Sequence, residues 1–307
     1  MSAAFERIAI IGLGLIGSSI ARAAREATPH VRLTGYDADP DIRARAERLA
    51  FLDHVADAPT SAVADADLVI LCVPVGAMGT AARSFAATLQ PGAVVTDVGS
   101  SKAGVAGALR DALPGATIIP GHPIAGTENS GPEAGFAALF RSRWSILTPD
   151  ESAPVEAVAR LSQFWTSLGA RVEIMDARQH DLTLAVTSHL PHLIAYTIVG
   201  TASDLETVTE GEVIKYSAGG FRDFTRIAAS NPTMWRDIFL SNKEAVLDVL
   251  QRFLGDLSGL EQAIRDDDGE ALFAWFSRTR DIRRAIVDQG QDVAAADFGR
   301  NAKGVTE

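Results

Sequence analysis

The chain has a single cysteine, Cys72, in 307 residues. One cysteine excludes an internal disulfide and any metal cage built on thiolates. Its setting in the apolar run Leu71-Cys72-Val73 marks it as a small core residue rather than a nucleophile. Positive charge is also short. Lys and Arg number 28 against 39 Asp and Glu, a formal net charge of −11, which argues against nucleic acid or an anionic membrane as partner. No apolar run approaches the ~20 residues of a membrane span; the longest candidate, Leu68 to Val75, reads as a buried strand. The opening Met-Ser-Ala-Ala-Phe-Glu-Arg lacks the charged-then-apolar pattern of a signal peptide, so a cytoplasmic protein is expected. Apolar residues make up 47% of the chain, enough at this length for the cores of two domains.

Ile8 to Ile11 is a continuous apolar strand, followed directly by Gly12-Leu13-Gly14-Leu15-Ile16-Gly17 and a helix-like run, Ser18 to Arg25. That order of strand, glycine loop and helix lifts a G-x-G-x-x-G match above chance. Gly12 permits the tight turn, Gly14 lets backbone approach a pyrophosphate, and Gly17 lets helix pack on strand. Leu15 and Ile16 complete the cofactor loop, and the helix start offers free N–H groups to phosphate. A second strand, Val31 to Tyr36, leads to Asp37, 20 residues after Gly17. A carboxylate there accepts hydrogen bonds from ribose hydroxyls and repels a 2′-phosphate, so NAD is expected over NADP. Arg43 and Arg45 nearby weigh the other way. From Leu68 a further strand runs fully apolar, as buried parallel strands do, and its end at Val73 and Pro74 should pass the cofactor.

Ala93 to Asp97, Thr117 to Ile119, Trp144 to Thr148 and Val172 to Met175 continue the strand series, with a helix over Val155 to Leu168. Alternating strands and helices predict a Rossmann-type doubly wound α/β sheet. Residues 1–176 are expected to form this NAD-binding domain and 177–307 an all-α domain. Beyond 177 the apolar period is helical throughout. His180 to Ser203 is apolar on nearly all sides, so it should be buried, with a kink at Pro191. A second amphipathic pattern starts at Met234, breaks at Asp266 to Gly269, and resumes over Ala271 to Val287. The tail from about residue 289 is expected to be disordered. An over-apolar central helix in a helical half suggests a homodimer formed through that half; a monomer with an ordinary buried helix is the alternative.

The residues that carry chemistry begin with His122. The run Thr117 to Ile119 ends in a Gly/Pro-punctuated loop carrying His122 and Glu128, and loops at the carboxyl ends of parallel strands line the ligand crevice. Histidine titrates near neutral pH, as a proton acceptor beside a nicotinamide should. Arg222 and Arg226 are four apart and share a helical face. Such a pair binds carboxylates bidentately, giving an acidic chain the local cationic patch that an anionic small-molecule substrate requires. Gly219 just before them lets backbone approach. A solvated face with Arg–Asp pairs fits the same pattern. His189 and His192 lie three apart, but without a third ligand this is a weak metal pattern. No metal is expected, and core or substrate contact is the better reading. His30, His54 and His180 are placed in loops and given no role.

The segments Gly121-His-Pro-Ile-Ala-Gly-Thr-Glu-Asn-Ser-Gly131, Asp97-Val-Gly-Ser-Ser-Lys102, Ser188-His-Leu-Pro-His192 and Thr225-Arg-Ile-Ala228, together with the glycine loop, resemble the prephenate/arogenate (cyclohexadienyl) dehydrogenase family. The resemblance covers about residues 7 to 290. It implies a Rossmann domain, a helical dimerisation domain, NAD, and oxidative decarboxylation on the route to tyrosine. It implies that His122 engages the substrate's 4-hydroxyl, with Ser100 near that hydroxyl and the nicotinamide; Ser101 is the alternative register. Arg226 would bind the ring carboxylate. Arg222, where some relatives carry lysine, would meet the substrate side chain. Glu128 and His192 would line the substrate and regulatory end, with Trp235 at the pocket side. No chorismate mutase segment is seen before the Rossmann domain and no added regulatory domain after the helices, so feedback by tyrosine, if present, would have to act at the active site. Two rivals remain: a 3-hydroxyacid or imine dehydrogenase, which would use a helix-borne lysine where this chain has few, and a catalytically silent NAD-binding regulator, which would need neither His122 nor the arginine pair. Prephenate and arogenate differ only in a keto or amino group on the side chain, and the choice between them stays open.

Overall fold

The computed structural model describes residues 4–127, 129–209 and 214–288. The chain forms two compact units, residues 1–249 and 250–307. The first is built on six parallel strands: β1 (Arg7–Ile11), β2 (Arg32–Tyr36), β3 (His54–Val55), β4 (Leu68–Leu71), β5 (Val94–Asp97) and β6 (Thr117–Ile118). Their order is β3-β2-β1-β4-β5-β6. β1 feeds β2 on one side while β4 lies on its other side, so the winding reverses between β1 and β4 and opens a crevice at their carboxyl ends. The glycine loop leaves β1, and Val73 and Pro74 follow β4, so both flank that crevice. Side chains alternate across the sheet. Ile8 and Ile10 enter a core with Phe140, Phe164 and Trp165, while Ala9 and Ile11 enter another with Met78, Phe85 and Leu109.

The later strands do not extend this sheet. β7 (Gly121–Pro123), β8 (Trp144–Leu147) and β9 (Arg171–Ile174) form a second sheet, ordered β7-β8-β9, with β7 and β8 antiparallel and β8 and β9 parallel. The single sheet expected from strand alternation is thereby corrected. The break is local. Ile119 N still donates to Val95 O at 2.9 Å, but Pro120 has no N–H with which to continue a ladder. His122 therefore sits in a strand, paired with Ile146, and not in a loop. Its Gly/Pro neighbours read as loop because β7 exists only through pairing with a segment more than twenty residues downstream.

A buried ion pair joins the two sheets. Lys102 and Asp97 are both fully buried and in direct contact. The Lys102 ammonium also donates to Gly121 O at 2.6 Å. Asp97 accepts from Gly99 N at 2.8 Å and Gly121 N at 3.2 Å. The end of β5 is thus clamped to the start of β7.

The long apolar stretch after β9 is a helix, Ala177–Leu184, a π-helical turn, Ala185–His189, and a further helix, Leu190–Thr209. The expected disturbance at Pro191 takes the form of this π turn. Proline lacks the N–H for the ladder and clashes with the carbonyl four residues back, here Thr187, and a widened turn accommodates both defects. His180 belongs to the first of these helices and His54 to β3, which corrects their assignment to loops. The expected burial is also corrected. Val186 is 50% exposed and Leu182, Ile198 and Leu205 are exposed too, whereas His180, Asp181 and His189 are buried. By length and composition alone Ala177–Leu205 is long and apolar enough to cross a membrane, which overturns the expectation that no such run exists; 28% of its most apolar window is buried.

Helices Pro232–Ser241, Lys243–Arg265 and Gly269–Asp288 follow. Asn231 caps the first of them, accepting from Met234 N at 3.1 Å ahead of Pro232, a favoured pairing of N-cap and first-turn residues. The tail from residue 289 lies outside the described residues.

Lys102→Met should lower the unfolding free energy by about 3–5 kcal/mol, because it strands the Asp97 carboxylate in the interior. Urea titration of both proteins measures this, and an unchanged midpoint would show that the clamp contributes nothing.

Candidate active site

The glycine loop is shaped by what surrounds it. Gly12 has φ +103, and a Cβ there would lie 2.4 Å from Cys72 O. A Cβ on Gly17 would lie 2.0 Å from Gly12 O, whereas one on Gly14 would meet nothing within 4 Å. The space in front of Gly14 is therefore open. Gly14 is also the N-cap of helix Leu15–Ala27 and supplies no side-chain cap, so the first-turn N–H groups, including those of Leu15 and Ile16, stay available to an anion. The same Cβ on Gly12 would lie 3.1 Å from Val73 Cγ1, which sets Val73 against the loop; Pro74 then leads into the short turn Val75–Ala77. This cradle fits a dinucleotide pyrophosphate.

Asp37 has a second duty that sequence reading missed. Its carboxylate accepts from Leu13 N at 2.8 Å and Asp39 N at 3.0 Å, so it fixes the glycine loop. A carboxylate has about four lone-pair directions, which leaves room for ribose hydroxyls. Arg43 is turned back onto its own backbone, donating to Asp37 O at 2.7 Å, with its guanidinium 5.5 Å from the Tyr36 ring centre.

His122 stands at the end of a buried polar chain. Its Nδ1 lies 2.9 Å from His180 Nε2, and His180 Nδ1 lies 2.8 Å from Asp181 Oδ1. The Asp181 carboxylate also accepts from Lys102 N at 2.7 Å and Ala103 N at 2.9 Å, at the start of helix Ala103–Ala112. Burial alone would raise the Asp181 pKa, but the bonds from His180, Ala103 and Lys102 outweigh it and hold the carboxyl below its usual range. An ionised carboxylate only accepts, so His180 carries its proton on Nδ1 and its Nε2 is a lone pair. His122 Nδ1 must then be the donor, and the lone pair of neutral His122 is on Nε2. No described residue hydrogen-bonds that nitrogen. Burial first, then the neighbouring His180 ring and the Lys102 ammonium, push the His122 pKa well below the ordinary histidine value. Burial also lowers His180, against the opposing pull of Asp181.

A second cluster lies on the following turn. Asn242 donates to Asp181 O at 2.8 Å and to His189 Nδ1 at 3.1 Å. Its amide nitrogen can only donate, so His189 carries its proton on Nε2. Burial brings His189 down to about 4. His192 stacks on Trp235 with ring centres 3.6 Å apart and planes at 25°, and its Nδ1 donates to Ser188 O at 2.9 Å.

The two serines separate clearly. Ser101 is buried with its hydroxyl on Ser241 Oγ at 2.7 Å, whereas Ser100 is half-buried and its hydroxyl has no partner among the described residues. Arg222 lies in the last turn of helix Gly219–Thr225, and Arg226 N closes that turn on Arg222 O. The two arginines are therefore one turn apart and both are exposed. Gly219 opens the helix with clear space around it. The segment is held near His192 through Tyr196, whose hydroxyl donates to Ser230 O at 2.8 Å, but no hydrogen bond or ion pair joins either arginine to His122. Glu128 lies outside the described residues. Among the described residues no group of three or more His, Cys, Asp or Glu side chains converges as a metal site.

His180, Asp181 and Asn242 are the partners that sequence reading missed. The available signal was an adjacent acid and histidine on a helix otherwise rich in apolar residues.

Residues 20–174 match the family model of the prephenate dehydrogenase nucleotide-binding domain, and residues 176–278 match that of the prephenate dehydrogenase dimerization domain. The chain is 47% identical over 282 residues to a cyclohexadienyl dehydrogenase of Zymomonas mobilis, covering 92% of this chain and 96% of the relative. It is 34% identical to a prephenate dehydrogenase of Bacillus subtilis, covering 92% of this chain and 76% of the relative. The solved prephenate dehydrogenase of A. aeolicus, in complex with hydroxyphenyl propionate and NAD+, superposes with a TM-score of 0.87 at 34% identity, covering 93% of this chain and all of that one. A Synechocystis arogenate dehydrogenase superposes with a TM-score of 0.78 at 26% identity, covering 91% and 99% of the two chains.

Imidazole NMR should find His122 and His180 neutral, with the proton on Nδ1, at pH 6.5, where an ordinary histidine is about half protonated. The folded protein then binds fewer protons than the unfolded chain, so its thermal midpoint should fall as pH drops below about 6.5. Either ring titrating at 6.5 or above would contradict the tautomer chain.

Proposed function

The chain belongs to the prephenate dehydrogenase family, and we propose that the histidine chain, Ser100 and the arginine pair are the means by which it performs the family's reaction. It is an NAD-dependent dehydrogenase of tyrosine biosynthesis that oxidatively decarboxylates a cyclohexadienyl substrate. The rival readings, a 3-hydroxyacid or imine dehydrogenase and a silent regulator, are not favoured by these similarities. When bound, NAD accepts the hydride that leaves ring C4.

His122 Nε2 takes the proton of the 4-hydroxyl as C4 is oxidised. Its lone pair is available because Asp181, through His180, pins the other ring nitrogen as a donor. The Ser100 hydroxyl, the uncommitted one of the two serines, positions the substrate hydroxyl. Arg226 anchors the ring carboxylate, which departs as CO2 while its electron pair enters the ring and aromatises it. No acid is needed at that carbon, and a permanently charged guanidinium is the appropriate anchor. Arg222 and Gly219 face the substrate side chain, and His192 with Trp235 forms a stacked wall of the pocket. Gly12, Gly14, Leu15, Ile16, Gly17, Asp37, Val73 and Pro74 hold the dinucleotide.

The observation that carries this reading is the buried chain His122–His180–Asp181, with His122 Nδ1 2.9 Å from His180 Nε2 and His180 Nδ1 2.8 Å from Asp181 Oδ1. A metabolic role on small soluble substrates supports a cytoplasmic setting. The domain division is proposed near Asp176, where the two family models meet. Homodimerisation through the helical half is supported by the dimerization-domain match and by the exposed apolar face of Ala177–Leu205. Turnover of both prephenate and arogenate is the specificity we propose, since their difference is confined to the side chain that Arg222 would meet.

NADH formation at 340 nm (a standard readout) with each substrate tests the reaction. His122→Ala should cost about 10²–10⁴-fold in kcat, and Asp181→Asn should approach the same loss with the fold intact, because it releases the tautomer. Arg226→Ala should lower kcat/KM by about 10–100-fold. For the wild type, kcat/KM should fall on the acid side with a midpoint below about 6.5, lower than an ordinary histidine gives. Full activity in His122→Ala would sink the base assignment.

A further inference from the structure

We propose that Glu133 is a coenzyme-specificity residue, holding Arg45 in an ion pair and so denying it to the 2′-phosphate of NADP. The inference rests on the dinucleotide cradle described above and adds to the discrimination already supplied by Asp37.

Helix Pro40–Leu49 begins immediately beyond Asp37, so its first two turns border the ribose position. Two arginines on it have the reach to meet a phosphate there. Arg43 is already folded onto the Asp37 and Ala38 carbonyls. Arg45 is taken by Glu133, a residue 88 positions away, through Nε to Oε1 at 2.8 Å and a second, parallel bond from Nη2 to Oε2. This is the two-pronged geometry by which guanidinium also grips phosphate. A carboxylate that occupies both prongs uses up the fork, and it adds a negative charge to a border that already has Asp37, Asp39 and Asp41. The Arg45 bond holds Glu133 down to about 2, so the carboxylate is ionised at neutral pH.

The backbone that presents Glu133 is specially fitted to its place. Gly131 has φ +87, and a Cβ there would sit 2.8 Å from Arg45 Nη2. A Cβ on Gly135 would sit 2.0 Å from Ser18 Oγ and 3.0 Å from Ser19 N. Phe136 N donates to Ser19 Oγ at 3.1 Å. The segment that follows β7 is therefore seated on the first turn of the glycine-loop helix and on Arg45, and it delivers Glu133 between the two helices that border the ribose.

The pair is partly exposed, 36% for the Arg45 side chain and 48% for Glu133. Exposed pairs contribute little to stability, so Glu133→Ala should fold. The test is titration calorimetry with NAD and NADP on the wild type, on Glu133→Ala, and on the double variant Arg45→Ala/Glu133→Ala. In Glu133→Ala the ratio Kd(NADP)/Kd(NAD) should fall about tenfold or more, with Kd(NAD) nearly unchanged, and the double variant should restore the wild-type ratio. A ratio within about twofold of wild type in folded Glu133→Ala, or a parallel weakening of both coenzymes, would overturn the proposal and leave the pair a mere strut. Failure of wild type to bind NAD would instead overturn the coenzyme assignment itself, so the two readings fail separately.

Discussion

The Asp181 carboxylate is the constraint on which the rest of the site depends. It accepts from two backbone N–H groups of the helix that follows Lys102 and from the ring of His180, while its own carbonyl receives Asn242. A buried carboxylate left unpaired would cost several kcal/mol, so these partners cannot drift apart without penalty. One oxygen pair thus fixes a helix start from the Rossmann half, a helix of the following half, and the proton positions on two rings. The geometry of the proposed site is a by-product of satisfying one charge.

Lys102 and Asp97 extend the same logic to the backbone. The clamp they form holds Gly121, and Gly121 begins the strand on which His122 is carried. Lys102 serves both devices, with its ammonium on Asp97 and its N–H on Asp181. The residues flanking the proposed base are therefore positioned from two directions by full charges in the interior. That arrangement is costly to assemble and hard to deform.

What the chain disclosed before folding was the part encoded within a few residues. The glycine loop, Asp37 and the apolar strands were legible because each is a local pattern with a local cause. β7 was not, since Gly121 to Pro123 becomes a strand only by pairing with Trp144–Leu147. His180 was passed over because its meaning is a contact with a residue 58 positions away. Ser100 and Ser101 looked alike in sequence, and only the Ser241 hydroxyl tells them apart. The burial of the long apolar helix was misjudged because hydrophobicity on all sides says that a surface will be covered, without saying by which chain.

The π turn at Ala185–His189 has a geometric meaning of its own. In a regular helix each residue advances about 100° around the axis, so a run from His180 to His192 would point its polar side chains in directions set by arithmetic alone. The wider turn acts as a phase shifter between two segments of one rod. Upstream of it, His180 is aimed at His122; at its last residue and beyond, His189 and His192 are brought onto Trp235. Forcing the same residues into regular α geometry would rotate everything beyond the turn by about 100°, dismantling the aromatic wall while leaving every individual side chain in the sequence.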